Sequence, residues 1–171
     1  VSCGIGLTDN SVFSEGIAKW CPYNKGGGFR RWYGFNEYLI NWENSGEEIR
    51  AIPTSVIANE QYFFEPGLTW STVASGNFSV RNFGSGYIFD NGGCCVFGKD
   101  RELRYLEGFM NSKLFVKLFS EINPTLNFQS GDVARVPVLE WNENIQQLSG
   151  LNISKSDWDA YETSWDFTTL R

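Results

Sequence analysis

RELRYLEGFMNSKLFVKLFSE, residues 101–121, decides the fold class. Leu103, Leu106, Phe109 with Met110, Leu114, Leu118 and Phe119 recur at steps of three and four, which gathers side chains on one face of an α-helix. Asn111 and Ser112 interrupt the run, and Ser112 is placed to cap a second short helix by accepting a backbone N–H bond. The spacing therefore predicts a helical hairpin or one kinked helix, with its apolar stripe turned to the core.

Upstream the pattern is different. Residues 17–97 hold short runs rich in β-branched and ring side chains: EYLINW (37–42), EEIRAI (47–52), QYFF (61–64), FSVRNF (78–83) and YIFD (87–90). Turn signals separate them at Asn44-Ser45-Gly46, Pro66-Gly67, Ser75-Gly76-Asn77, Gly84-Ser85-Gly86 and Asn91-Gly92-Gly93, so each run is expected to be a strand. Residues 1–16 read as a loop. Downstream, Pro124 ends the helix, and two closing strands are expected within 126–139, the second confined to an edge by Pro137. Ser156-Asp157-Trp158-Asp159 reads as a capping box that opens a further short helix. The class is α+β: a mixed, mostly antiparallel sheet with long loops, packed against the helical hairpin or kinked helix. The expected division is 1–139 as the main domain, with strand-rich 17–97, helical 101–121 and closing strands 126–139, then an acidic extension over 140–171 that leads to a next domain.

Composition sets limits. The 171 residues are 42% apolar and 16% aromatic, enough for a real core in one domain with or without an appendage. The net charge of −6 excludes a uniformly basic nucleic-acid binder, yet the charge is uneven. Beyond position 139, Glu140, Glu143, Asp157, Asp159, Glu162 and Asp166 face only Lys155 and Arg171. By contrast KWCPYNKGGGFRRWYGFNEYLINW, residues 19–42, has no acid before Glu37. Lys19, Lys25, Arg30 and Arg31 supply cations, Trp20, Tyr23, Trp32 and Tyr33 supply flat faces, and Gly26-Gly27-Gly28 lets backbone approach a ligand. That combination suits a surface gripping an anionic polymer. A glycine-tipped hairpin whose arginines cap an aromatic mini-core has the same composition.

Histidine is absent, which removes Ser-His and Cys-His nucleophiles and histidine metal sites. Cys3, Cys21, Cys94 and Cys95 contain no CxxC pair, so free thiols in a reducing, cytoplasmic setting are expected rather than zinc. No GxGxxG or phosphate-loop pattern is present, no apolar run reaches the roughly 20 residues of a membrane helix, and no secretion signal opens the chain. Both ends read as cut, so a piece of a larger protein is expected. These residues describe a recognition module rather than an enzyme.

Larger motifs carry a resemblance. GIGLTDNSVF (4–13), residues 19–46, EPGLTWS (65–71), FMNSKLF (109–115), INPTLNFQSGDVARVPV (122–138) and ISKSDWDAYETSWDF (153–167) resemble, in the same order, the target-recognition domain of BREX-type adenine-specific DNA methyltransferases, the PglX family. NPTLNFQSGD and SKSDWDAYETSWDF are the specific motifs. NSKLF and GDVARVPV are shared more widely among restriction-modification recognition domains. The glycine-rich S-adenosylmethionine loop and the NPPY-type motif of the family have no counterpart here.

The resemblance implies a phage-defence protein that methylates adenine N6 with S-adenosylmethionine, and a segment, this one, that chooses the site on double-stranded DNA without holding a cofactor. Lys25, Arg30, Arg31 and Arg81 are assigned to phosphate or guanine, Asn36 and Asn24 to adenine edges, and Trp32 and Tyr33 to sugar or base packing. Ser71, Thr72 and Ser75 are placed to touch either. Trp158, Trp165 and Phe167 are expected to dock the following domain. Partners are then DNA, the catalytic domain of the same chain and other defence proteins, with no membrane. Carbohydrate binding and protein docking, both without catalysis, are the alternatives.

Overall fold

The computed structural model describes residues 3–7, 9–138 and 150–169. In chain order its elements are α1 (Ser11–Ser14), β1 (Trp20–Asn24), β2 (Tyr38–Asn41), α2 (Glu43–Arg50), a 3-10 turn (Glu60–Tyr62), β3 (Gly67–Ser71), β4 (Arg81–Phe83), β5 (Ile88–Phe89), β6 (Gly93–Val96), α3 (Asp100–Met110), α4 (Lys113–Ile122), α5 (Ser130–Val133) and α6 (Leu151–Trp158). The α+β class holds, with two three-stranded sheets rather than one. The first runs β2-β1-β5, antiparallel between β1 and β2 and parallel between β1 and β5. The second, β4-β3-β6, is antiparallel throughout.

Each sheet has its own core. Every residue of β3 is buried, as befits a central strand covered on both faces. Its Leu68 and Trp70 join Phe78, Val80, Leu103, Phe109, Met110, Phe115, Phe119, Phe128 and Val136. Phe78 is the hub, with ring centroids of Trp70, Phe115, Phe119 and Phe128 at 5.0–5.8 Å. The other core joins Phe13, Ala18, Cys21, Trp42, Phe63 and Ile88 around the first sheet.

The helical pair matches its expected form. The Glu102 carboxylate accepts the Lys99 N–H at 3.1 Å and starts α3, while the Ser112 hydroxyl accepts the Phe115 N–H at 3.1 Å and starts α4. Asn111, at the break, is buried and bonds both polar groups of Val80: its Oδ1 accepts the Val80 N–H at 3.1 Å and its Nδ2 donates to the Val80 carbonyl at 3.0 Å. The break thus ties the hairpin to the strand region. Phe115, not Leu114, carries the stripe into the core, and Leu114 is exposed.

Several expected elements differ. EEIRAI is no strand: its first four residues close α2, whose Asn44, Ser45 and Gly46 are left-handed, and Arg50 then forks onto Glu60 at 3.0 and 2.5 Å. Within QYFF, Gln61 and Tyr62 belong to the 3-10 turn. Of the closing strands, the first is a lone bridge between Asn127 and Val73. The second is replaced by the α5 turn, because backbone from Ser130 onward bonds locally and Val136 seats in the core. Leu139 lies outside the described residues. Ser156 to Asp159 ends α6 rather than opening a helix, with the Asp159 N–H on the Lys155 carbonyl at 2.8 Å. Among the described residues before Ile17, Ser11–Ser14 form a short helix, α1, rather than loop.

Candidate nucleic-acid interface

Residues 25–29, which follow β1, meet two other loops. Gly26 (φ +82°) lies so close to the Gly92 carbonyl that a Cβ there would sit 2.2 Å from its oxygen, so only glycine fits. The Thr72 hydroxyl donates to the Asn91 carbonyl, and Gly76 rests beside Phe29. Loops 25–29, 72–77 and 90–92 therefore form one composite tip. Its exposed residues include Lys25, Gly27, Gly28, Phe29, Val73, Ser75, Asn77, Asn91 and Gly92.

Charge on this tip is mixed. The Lys25 ammonium stands 5.6 Å over the Tyr38 ring, and the half-buried Arg31 guanidinium lies 5.4 Å over Phe29. Asp90 is committed inward, accepting from the Tyr23 hydroxyl at 2.5 Å and the Gly92 N–H at 2.7 Å. Burial, with the Asp90 carboxylate second, raises the Tyr23 phenol far above its usual range, so it stays a donor.

The other assigned residues divide. Arg30 does not face outward as a free cation: its Nε donates to the Tyr33 carbonyl at 2.8 Å, its Nη2 to Asp157 at 2.7 Å, and its plane lies 5.0 Å over Trp158. Trp32 (φ +73°) is half-buried and runs beside β4, with its N–H on Val80 and its carbonyl taking the Asn82 N–H. Tyr33 is half-buried under the Lys155 ammonium at 5.0 Å. Ser75 is exposed and Thr72 half-buried.

Asn36 (5% exposed), Asn24 (4%), Ser71 (4%) and Arg81 (2%) lie beneath the surface. None of the four stands on the exposed surface expected of a direct contact: Asn24 ends β1, Asn36 lies just before β2, Ser71 ends β3 and Arg81 opens β4, and each is buried. Trp158, expected to dock another domain, is also buried here, against Phe35 at 6.0 Å. Trp165 stacks on Tyr87 at 6.2 Å. A continuous basic trough through Lys25, Arg30 and Arg31 is thus interrupted at Arg30 by Asp157 of α6. Phe29, Asn77 and Asn91 complete the tip, although sequence showed 91–93 only as a turn.

Behind the tip a cleft of about 760 Å³ opens between the first sheet, β6 and the strap 55–59, walled by Tyr23, Trp42, Tyr62, Phe63, Phe89 and Phe97. Among the described residues no group of acids and cysteines could hold a metal ion, and no helix is long and apolar enough to cross a membrane.

No protein-family model matches the chain. It is 37% identical over 169 residues to the adenine-specific methyltransferase BrxX of Escherichia coli O9:H4 (strain HS), covering 96% of this chain and 14% of that protein. It is also 37% identical over 161 residues to the adenine-specific methyltransferase PglX of Lacticaseibacillus casei (strain Zhang), covering 88% of this chain and 13% of that protein. The chain corresponds to one segment of such adenine-specific methyltransferases. The match to BrxX covers nearly the whole chain, so it spans both sheets, the helical pair and α6.

Proposed function

We propose that this chain is the DNA target-recognition module of an adenine-N6 DNA methyltransferase of the BREX phage-defence type, with S-adenosylmethionine and the reacting adenine held elsewhere in the whole protein. A methyltransferase must locate its base within a sequence before extruding it, and that task suits loops on a rigid frame. The observation that carries the reading is the composite tip. Three loops from both sheets converge on one exposed surface of amides, hydroxyls, bare backbone and the cations of Lys25 and Arg31, in a segment whose relatives are adenine-specific methyltransferases. Residues 1–139 supply the tip and its frame, and 150–169 brace it from the side.

The test is the salt dependence of binding to a duplex carrying the methylated site. Each phosphate neutralised contributes about −0.9 to the slope of log affinity against log salt. Lys25→Ala and Arg31→Ala should each flatten the slope by about 0.9, and an unchanged slope in both removes the tip from the interface. In the whole protein, exchanging 1–139 for a relative's segment should carry the methylated motif with it, read by methylome sequencing.

Protein docking has one observation of its own: the strap bordering the cleft exposes Val56 at 88%, and Ile52, just before the strap, is exposed at 52%. Ile52→Ser with Val56→Ser should leave duplex affinity unchanged. A loss of assembly with other defence proteins in pull-downs would assign that face to docking.

A further inference from the structure

Seven buried side-chain polar atoms lack a partner among the described residues, and six are donors: Asn24 Nδ2, Arg31 Nε, Asn36 Nδ2, Arg81 Nε, Arg81 Nη1 and Trp158 Nε1. Orphaned buried donors are rare and costly, and an orphaned buried cation more so. Arg81 is the extreme case. It is 2% exposed, and among the described residues its side chain pairs with no carboxylate and makes one hydrogen bond, a long 3.4 Å contact from Nη2 to the Ser71 hydroxyl. Its plane lies 5.0 Å over the Phe35 ring.

The charges around it do not compensate. Arg30 repels it, and Cys95 stays a neutral thiol because burial pushes it up to about 12. Burial lowers Arg81 itself only to about 10, so it remains cationic at neutral pH. Proteins answer a buried arginine with an anion, and none of the side chains here provides one.

Above Arg81 lies the glycine triplet. Gly27 rests on Phe35, where a Cβ would come within 2.7 Å of the ring, and the Gly28 carbonyl takes a long 3.5 Å bond from the same Ser71 hydroxyl. Gly27 and Gly28 are both exposed. This loop, which carries no side chains, therefore covers the Phe35 ring and the Ser71 hydroxyl that flank the guanidinium.

We propose that Arg81, with Asn24, Asn36 and Ser71, forms a binding site for a single phosphate group beneath the Gly26-Gly27-Gly28 loop. The guanidinium fork matches phosphate oxygens two at a time, and the unpartnered Nδ2 groups of the two amides supply further donors. The group is either inorganic phosphate or a phosphate of a duplex backbone.

Thermal unfolding of the 171-residue chain tests it, with about 10 mM phosphate replacing chloride at fixed ionic strength. The wild type should gain about 3 °C in Tm. Arg81→Met keeps the apolar stem on Phe35 but removes the charge, and should lose that gain. Ser71→Asp places a carboxylate beside Nη2; it should raise Tm without phosphate and abolish the response, so the test survives if Arg81→Met fails to fold. Phosphate also favours compact states generally, an effect all three proteins share. No gain in the wild type, or equal gains in all three, overturns the site. A labelled duplex then names the source. Competition by phosphate against the wild type, absent in Ser71→Asp, identifies a backbone phosphate, whereas unchanged duplex affinity alongside the thermal gain identifies the free anion.

Discussion

Glu107 shows what a single residue can hide. It falls on the buried face of α3, 1% exposed, with Oε1 unpartnered, and burial raises its carboxyl from 4.5 to about 7. A folded-state value above the unfolded one means that the native protein keeps a proton the unfolded chain gives up. Stability from this residue is therefore fully present below about pH 4.5, falls as pH rises through the interval to about 7, and levels off above it. Glu107→Gln should remove that slope and stabilise the protein by about 1–2 kcal/mol at pH 8, read from urea midpoints between pH 5 and 8. A parallel pH profile in the variant would show that Glu107 is charged and solvated in the native state. Sequence gave no hint of this, since a lone Glu inside an apolar stripe looks like the solvent face one residue out of phase. Arg81 was equally opaque: in FSVRNF an alternating reading leaves one face wet, but α3 and α4 cover one side and residues 30–36 the other.

At the scale of elements, legibility followed length. The helical pair was readable because 21 residues of period near 3.6 with a break at Asn111-Ser112 admit few alternatives. EYLINW and YIFD hold β2 and β5, short runs of ring and β-branched side chains set off by turn signals. EEIRAI was not readable, because six residues satisfy either period, and the turn read at 44–46 is a left-handed bend within α2 rather than a break before a strand. VARVPVL failed through its neighbours: the Gln129 carbonyl takes both the Asp132 and Val133 N–H groups, which closes a turn before any strand can pair. The break itself is open to test. Ser112→Ala should cost about 1 kcal/mol through loss of the α4 cap. Asn111→Ala orphans both polar groups of Val80 and should cost about 2–4 kcal/mol, so the ratio of the two, measured by denaturant unfolding, separates a simple cap from a tie between helix pair and strand. Equal small losses would mean that water replaces Asn111 without penalty.

For the whole molecule, the position of α6 decides how much positive charge the tip offers. Sequence made the 19–42 cluster and the acidic end both visible, but not that they meet: Asp157 and Arg30 are 127 positions apart and touch at 2.7 Å. α6 stays in place by other means. The Ser154 hydroxyl bonds the carbonyls of Arg31 and Tyr33 at 3.0 and 3.2 Å, Trp158 is buried against Phe35, and Lys155 is held by Asp159 and Asp166 at 2.6 Å each. Asp157 is half-exposed, so its pair with Arg30 is worth less than about 1 kcal/mol. Asp157→Asn should therefore leave Tm within about 3 °C of wild type while freeing one cation beside the tip. If Arg30 then reaches a phosphate, the slope of log duplex affinity against log salt steepens by about 0.9, measured by fluorescence anisotropy over about 50–200 mM salt. An identical slope at identical stability would make Arg30 a brace for the Tyr33 carbonyl and leave DNA contact to Lys25 and Arg31, since among the described residues the acid removed was the one group paired with it.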